Sequence, residues 1–181
     1  PADYDGDGAA EMAVYRPSNG TWYFWNWIFQ RFSAVQFGVS TDKPVPADYD
    51  GDGKTDVAVF RPENGAWYLL RSAQGFTAVQ FGIAEDKPVA ADYDGDGKSD
   101  VAVFRPSTGV WYWLGTTAGF SGIQFGIQTD LPAPADYDGD GKADLAVYRD
   151  GTWYLLRSAQ GFTAVQFGIS SDKPVANAFV P

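Results

Sequence analysis

The chain of 181 residues has no cysteine, no histidine and a single methionine. Disulfide and thiolate chemistry are thereby excluded, and so are imidazole acid–base catalysis and zinc sites of the usual ligand type. No apolar run approaches the roughly 18–20 residues of a spanning helix, and no stretch reads as a signal peptide. Long helical periodicity is missing as well, because 21 Gly and 11 Pro interrupt the chain throughout. What remains is 45% hydrophobic and 17% aromatic, enough to bury a core, and it reads as many short strands joined by tight turns. The lack of cysteine fits a secreted bacterial protein. Pro1 lies inside a motif that later recurs in full, which reads as a processed or partial N-terminus.

The formal charge is −10, and its placement matters more than its size. Of the 23 acidic residues, 16 fall in four copies of one nine-residue motif. The other seven (Asp42, Glu63, Glu85, Asp86, Asp130, Asp150, Asp172) are outnumbered by 13 Lys and Arg. Four bound divalent ions would leave a net charge of only about −2. The acidity is local and chelating, and it argues against nucleic acid as a partner.

A period of 44–45 residues organises the whole chain, with Asp3, Asp48, Asp92 and Asp136 at equivalent positions. Trp67 to Ile83 is identical to Trp153 to Ile169. The repeats run 1–44, 45–88, 89–132 and 133–174, and 175–181 reads as a closing or exchanged C-terminal strand. Within a repeat, strands are expected at Pro88–Asp92, Val101–Arg105, Trp111–Leu114 and Ser121–Ile127, separated by Gly-containing turns. Four antiparallel strands in about 44 residues have the size of one propeller blade. The predicted fold is therefore all-β, an array of four four-stranded blades. One blade cannot bury both faces, so neighbours must stack, with Phe60, Trp67, Tyr68, Phe76, Phe81 and their equivalents as the inter-blade core. Arg16, Arg61, Arg105 and Arg149 each precede a turn, where hydrogen bonding or stacking is the expected role.

Between the first and second strands of each blade lies the motif Asp48-Tyr-Asp50-Gly-Asp52-Gly-Lys54-Thr-Asp56. Carboxylates at positions 1, 3, 5 and 9 converge if the chain wraps a hard cation, and the glycines permit the sharp turn. Position 7 would offer its backbone carbonyl, so Lys54, Lys98, Lys142 and Ala9 join the ligand sets. The other copies use Asp92, Asp94, Asp96 and Asp100, then Asp136, Asp138, Asp140 and Asp144. The first uses Asp3, Asp5 and Asp7 with Glu11 in the last place. Calcium takes six to eight flexible oxygen ligands and suits this loop better than magnesium, which gives about four ions. The bland alternative, Asp-Gly hairpin turns, does not explain four like charges in every copy. An EF-hand is excluded because the flanks are strands and no Glu stands at position 12.

The DxDGDGxxD loop resembles that of FG-GAP repeats. So do the Phe-Gly that ends the last strand (Phe37-Gly38, Phe81-Gly82, Phe125-Gly126, Phe167-Gly168) and the Pro-Val-x-Ala that follows. These VCBS-type repeats are similar to the N-terminal β-propeller of integrin α subunits. The resemblance covers essentially the whole chain. It implies calcium in the loops, an extracellular or cell-surface location, and roles in adhesion, ligand binding or structural assembly. Integrin-like propellers close with more blades than the four repeats here. The array could close on itself, end a larger propeller, or pair with another copy, including end-to-end strand exchange into a filament.

The first repeat has Asn26-Trp27-Ile28-Phe29-Gln30-Arg31 where the second has Arg71-Ser-Ala-Gln-Gly75, one residue shorter. Trp27, Ile28 and Phe29 thus turn a polar hairpin tip, on the rim of the calcium loops, into an apolar contact surface. Packing against a partner or another subunit is the first candidate occupant and a glycan the second. Asn19-Gly20-Thr21 is a glycosylation sequon on a turn. The sequence thus reads as a non-catalytic, calcium-stabilised extracellular module that self-associates or binds another extracellular protein. A lectin-like propeller or an accessory domain of a larger secreted protein is the alternative.

Overall fold

The computed structural model of the chain describes residues 2–175. The described residues contain strands and turns and no helix, so none could cross a membrane as an apolar helix. The chain divides into two compact units, Pro1–Ala84 and Glu85–Pro181.

Unit one holds two sheets. The first is β1 (Met12–Arg16), β2 (Thr21–Asn26) and β3 (Arg31–Gln36), in that order. The second is β4 (Lys43–Pro44), β5 (Val57–Arg61), β6 (Ala66–Arg71) and β7 (Gly75–Gln80). Unit two repeats the second pattern twice. Its sheets are β8 (Lys87–Pro88), β9 (Val101–Arg105), β10 (Val110–Gly115) and β11 (Gly119–Gln124), then β12 (Leu131–Pro132), β13 (Leu145–Arg149), β14 (Thr152–Arg157) and β15 (Gly161–Gln166). All pairings are antiparallel and no sheet closes into a barrel.

Three expectations need correction in detail. The first sheet has three strands among the described residues, and only the bridge Ala2↔Glu11 stands at its inner edge. The inner strand of a full sheet is also shorter than Pro88–Asp92, covering Lys87–Pro88 alone. Pro88 has no N–H to give the ladder. Pairing resumes at the Val89 N–H, which donates to the Ala102 carbonyl at 2.9 Å, and at the bridge Ala91↔Asp100. The outer strand ends at Gln124, earlier than Ile127, because the Phe125 N–H turns to the Gly109 carbonyl at 2.9 Å. Of the expected closing strand, only Val175 is described, and 176–181 lie outside the described residues.

The Phe-Gly dipeptide now has a physical reason. Gly126 sits at φ 137°, and an added Cβ would lie 3.0 Å from the Phe104 ring and 3.1 Å from the Asp130 carboxylate. Only glycine fits there. The carbonyl just before it receives the indole N–H of the recurring Trp, as in Trp111 Nε1 to Phe125 O at 2.7 Å and Trp22 Nε1 to Phe37 O at 3.0 Å. The ring can thus be buried whole with its one polar group satisfied.

Within unit one, Trp22 and Phe24 of the first sheet pack on Val57 and Val59 of the second. Within unit two, Trp111 and Phe104 pack on Leu145 and Val147 in the same manner. Each such side chain contributes about 2–3 kcal/mol of apolar burial. Phe60 and Trp67 are fully buried as expected, but Phe76 is 61% exposed, and it is corrected from core to rim. It lies near the start of the outermost strand, opposite Leu70, and meets Phe37 edge to face at 6.2 Å.

The repeated arginines are structural. Arg61, Arg105 and Arg149 make two-pronged contacts to Asp42, Asp86 and Asp130, the residues just before each inner strand. Each also covers a tyrosine ring, 4.4–4.8 Å from Tyr68, Tyr112 and Tyr154. The three carboxylates are wholly buried, so each pair ties the inner strand to the middle of its sheet. Asp130→Asn leaves Arg149 without its counter-charge and should cost about 2 kcal/mol in urea unfolding. A loss below about 0.5 kcal/mol would remove the clamp from the account.

Candidate metal centre

Each Asp-rich loop is folded by its own amides. In the second repeat the Gly51 and Gly53 N–H groups donate to the two oxygens of Asp48 at 2.6 and 2.9 Å. Lys54 N–H donates to Asp52 Oδ1 at 2.9 Å, and Tyr49 N–H to Asp56 Oδ2 at 2.9 Å. Gly51 and Gly53, at φ 78° and 83°, allow this winding. The tyrosine hydroxyl anchors the loop, with Tyr49 donating to the Val45 carbonyl at 2.7 Å and Tyr93 to that of Val89 at 2.7 Å.

The turn between the third and fourth strands closes over the loop from the same rim. Ser72 N–H donates to Asp56 Oδ1 at 2.7 Å, and the Ala73 and Gln74 amides both donate to Asp50 Oδ2 at 3.0 Å. The Ser72 hydroxyl donates to Asp52. Thr116 and Thr117 with Ala118 do the same at Asp96 and Asp94, as Ser158, Ala159 and Gln160 do at Asp140 and Asp138. This second set of partners was not read from the sequence. The repeated Ser72, Thr116 and Ser158 at one register position is the signal that could have found it.

The carboxylates converge. Ligand oxygens lie within 4.8 Å of one another in the groups Asp48, Asp50 and Asp56; Asp92, Asp94 and Asp96; Asp136, Asp138 and Asp144; and Asp3, Asp5, Asp7 and Glu11. Asp52, Asp100 and Asp140 stand in the same loops but outside these tight groups. The other oxygen of Asp50, Oδ1, is buried without a hydrogen-bond partner, and so are Asp94 Oδ1 and Asp138 Oδ1. Among the described residues these three are the buried side-chain oxygens and nitrogens left unsatisfied. A carboxylate oxygen in that state is costly unless a hydrogen-bond donor or a cation takes it, and three equivalent ones facing clustered carboxylates suit a cation.

The first loop is built differently. Trp27 stands where the others have Ser or Thr, and the amide of Asn26 closes the site instead. Asn26 Nδ2 donates to Asp5 Oδ2 and Asp7 Oδ2 at 2.8 Å each and to Glu11 Oε1 at 3.0 Å. Phe29 N–H donates to Asn26 Oδ1 at 3.0 Å, which fixes this orientation. One nitrogen thus sits among three carboxylates. The tip it supports leaves Trp27, Ile28 and Phe29 exposed at 73%, 60% and 65%. Asn19 is also exposed, its amide donating to the Tyr23 hydroxyl at 3.1 Å.

Crowding shows in the acidities. Burial pushes the Asp56 carboxyl up to about 6 and Asp100 up to about 7, against the pull of two backbone amides on each, and the neighbouring carboxylates add to the rise. Burial raises Asp144 in the same direction. Asp94 goes the other way, because the amides and hydroxyl of Thr117 and Ala118 outweigh its burial. A carboxyl whose folded value exceeds its unfolded 3.8 binds extra protons in the native state, so its stabilisation is present at low pH and lost as pH rises to about 7. In chelator, the melting temperature should therefore fall between pH 5 and pH 8. A saturating divalent cation, which competes with those protons, should reverse the slope. A chelated protein that gains stability over that window would contradict the crowded, ion-free loop.

The family model of the FG-GAP-like repeat matches at residues 3–59, 48–103 and 92–147, each match beginning at a loop's first Asp. No curated protein matches the chain. With the model spanning residues 3–147 of 181, the chain belongs to the FG-GAP-like repeat family.

Proposed function

We propose that this chain is a calcium-stabilised, non-catalytic interaction module that works outside the cell, its repeats acting as propeller-type blades. The observation that carries the calcium reading is the buried, unpartnered Oδ1 of Asp50, Asp94 and Asp138. Each faces a group of oxygen-only ligands, the donor set of a hard cation, and the loop's flexible geometry favours calcium over magnesium. The backbone carbonyls of Lys54, Lys98 and Lys142 complete the shell. The ion would hold loop and turn together, tying the inner edge of each sheet to its outer hairpin. The Asn26 amide serves the first site, with Ala9 at its seventh position, and makes it the weak one. Calcium occupies three sites tightly and the fourth only at higher concentration.

Catalysis finds no support in these loops, since carboxylates that hold an ion are poor proton donors. Trp27, Ile28 and Phe29 offer an exposed apolar tip of three adjoining side chains, which suits another protein better than a sugar. The extracellular reading rests on the family and on millimolar calcium being available there.

Calorimetric titration of chelated protein should show three tight calcium sites, with magnesium far weaker. At calcium one hundred times the dissociation constant each site adds about 2.7 kcal/mol of stability. Asp138→Asn should remove one site and most of that increment in calcium, while changing stability little in chelator. A titration without heat or a melting temperature indifferent to calcium would end the calcium reading.

A further inference from the structure

The repeat-to-repeat contact is built the same way in both units. The leading sheet presents aromatic side chains, Trp22 and Phe24 in one unit and Trp111 in the other. The following sheet presents an aliphatic pair, Val57 and Val59 or Leu145 and Val147. The loop backbones join across the contact, with Thr55 N–H donating to the Asp3 carbonyl and Ala143 N–H to that of Asp92, both at 2.6 Å. The lysine of the following loop lies over a glycine of the leading one, Lys54 on Gly6 and Lys142 on Gly95. At the rim, Phe37 meets Phe76 edge-on at 6.2 Å and Phe125 meets Phe162 at 6.3 Å.

Both halves of this contact recur, open to solvent, on the first and fourth repeats. On the first, Met12 and Val14 hold the register positions of the buried aliphatic pair, and they are 56% and 60% exposed. Ala10, at the register of Thr55 and Ala143, is exposed too. On the fourth, Phe167 holds the position of Phe37 and is 76% exposed, and nothing lies within 4 Å of the Cβ position at Gly139.

The charges are complementary as well. Asp42 enters the second sheet from the tail of the first repeat and pairs with Arg61. Asp172 has the same turn, accepting the Ile169 N–H at 3.0 Å as Asp42 accepts that of Val39 at 2.9 Å, yet it is exposed and no arginine pairs with it among the described residues. Arg16 stacks on Tyr23 at 4.3 Å, and no carboxylate pairs with it among the described residues. Among the described residues the edge of β1 away from β2 carries no strand, while Asp172-Lys173-Pro174 repeats the inner-strand sequence Asp42-Lys43-Pro44.

We propose that the chain docks head to tail on a second copy of itself. The fourth repeat of one copy seats on the first repeat of the next. Its Asp172–Val175 segment adds the missing inner strand to β1, with Lys173 opposite Tyr15 and Pro174 opposite Val14, and Asp172 clamps onto Arg16. This is the pairing that Lys43 and Pro44 make with Phe60 and Val59. The inference goes beyond the calcium reading and uses none of the carboxylates at the ion sites.

The test is sedimentation of the full chain in millimolar calcium, with two variants at exposed positions, Val14→Glu on the receiving face and Phe167→Glu on the donating face. Wild type should form dimers and larger species as concentration rises. Each variant alone should stay monomeric, its self-association weakened at least about tenfold. An equimolar mixture of the two, which retains one sound interface, should stop at a one-to-one heterodimer. Unchanged melting temperatures would show that both variants fold. A wild type that stays monomeric, variants that associate as wild type does, or a mixture that stays monomeric would each overturn the proposal.

Discussion

Four carboxylates of one sign, wound into a nine-residue loop, are the constraint on which the rest of the structure depends. Left in water they would repel and splay apart. Here the loop's amides hold the carboxylate of Asp48 with two hydrogen bonds, and the amides of a distant turn hold those of Asp50 and Asp56. The turn is reached only after two more strands. The loop therefore dictates how long those strands are and where their hairpin folds back. A full repeat is one closed circuit of chain, pinned at the carboxylates.

The opposite end of each sheet is pinned by different chemistry to the same effect. The indole N–H of the middle strand finds the carbonyl of the Phe-Gly pair, and the arginine of the second strand grips the aspartate before the first. Both contacts bring the outer strand's exit back to the inner strand's entry. Small sheets of this kind gain little from their own cores, and burial comes from stacking aromatic on aliphatic faces. Pinning both ends keeps each face flat enough for its neighbour, which is why the same contact is made in both units.

Much of this was legible in the sequence. The period, the strand order and the convergence of Asp48, Asp50 and Asp56 follow from side-chain identity and spacing, which a repeat displays several times over. The structural role of Arg61, Arg105 and Arg149 could also be read, although their partners Asp42, Asp86 and Asp130 could not, lying 19 residues away. What stayed hidden was carried by backbone. The amides of Ala73 and Gln74 have no sequence signature, and the reason for the glycine after each Phe, a motif plain in the sequence, shows only in its φ and its close neighbours. Phe76 misled because an aromatic at a repeated position suggests a core, whereas an outermost strand has one face left to cover. Asn26 has no signature of its own beside the conspicuous Trp27, yet it alters the first loop most.

The buried Oδ1 atoms carry the calcium reading, and whether an ion sits against them is the measurement that bears on it most directly. A crystal structure grown in millimolar calcium, with anomalous data, should place an ion within about 2.3–2.6 Å of the Oδ1 atoms of Asp50, Asp94 and Asp138. The density in the first loop should be weaker, where the Asn26 amide already faces the carboxylates. Ordered water or a lysine ammonium against those oxygens, with no anomalous signal in any loop, would contradict the account.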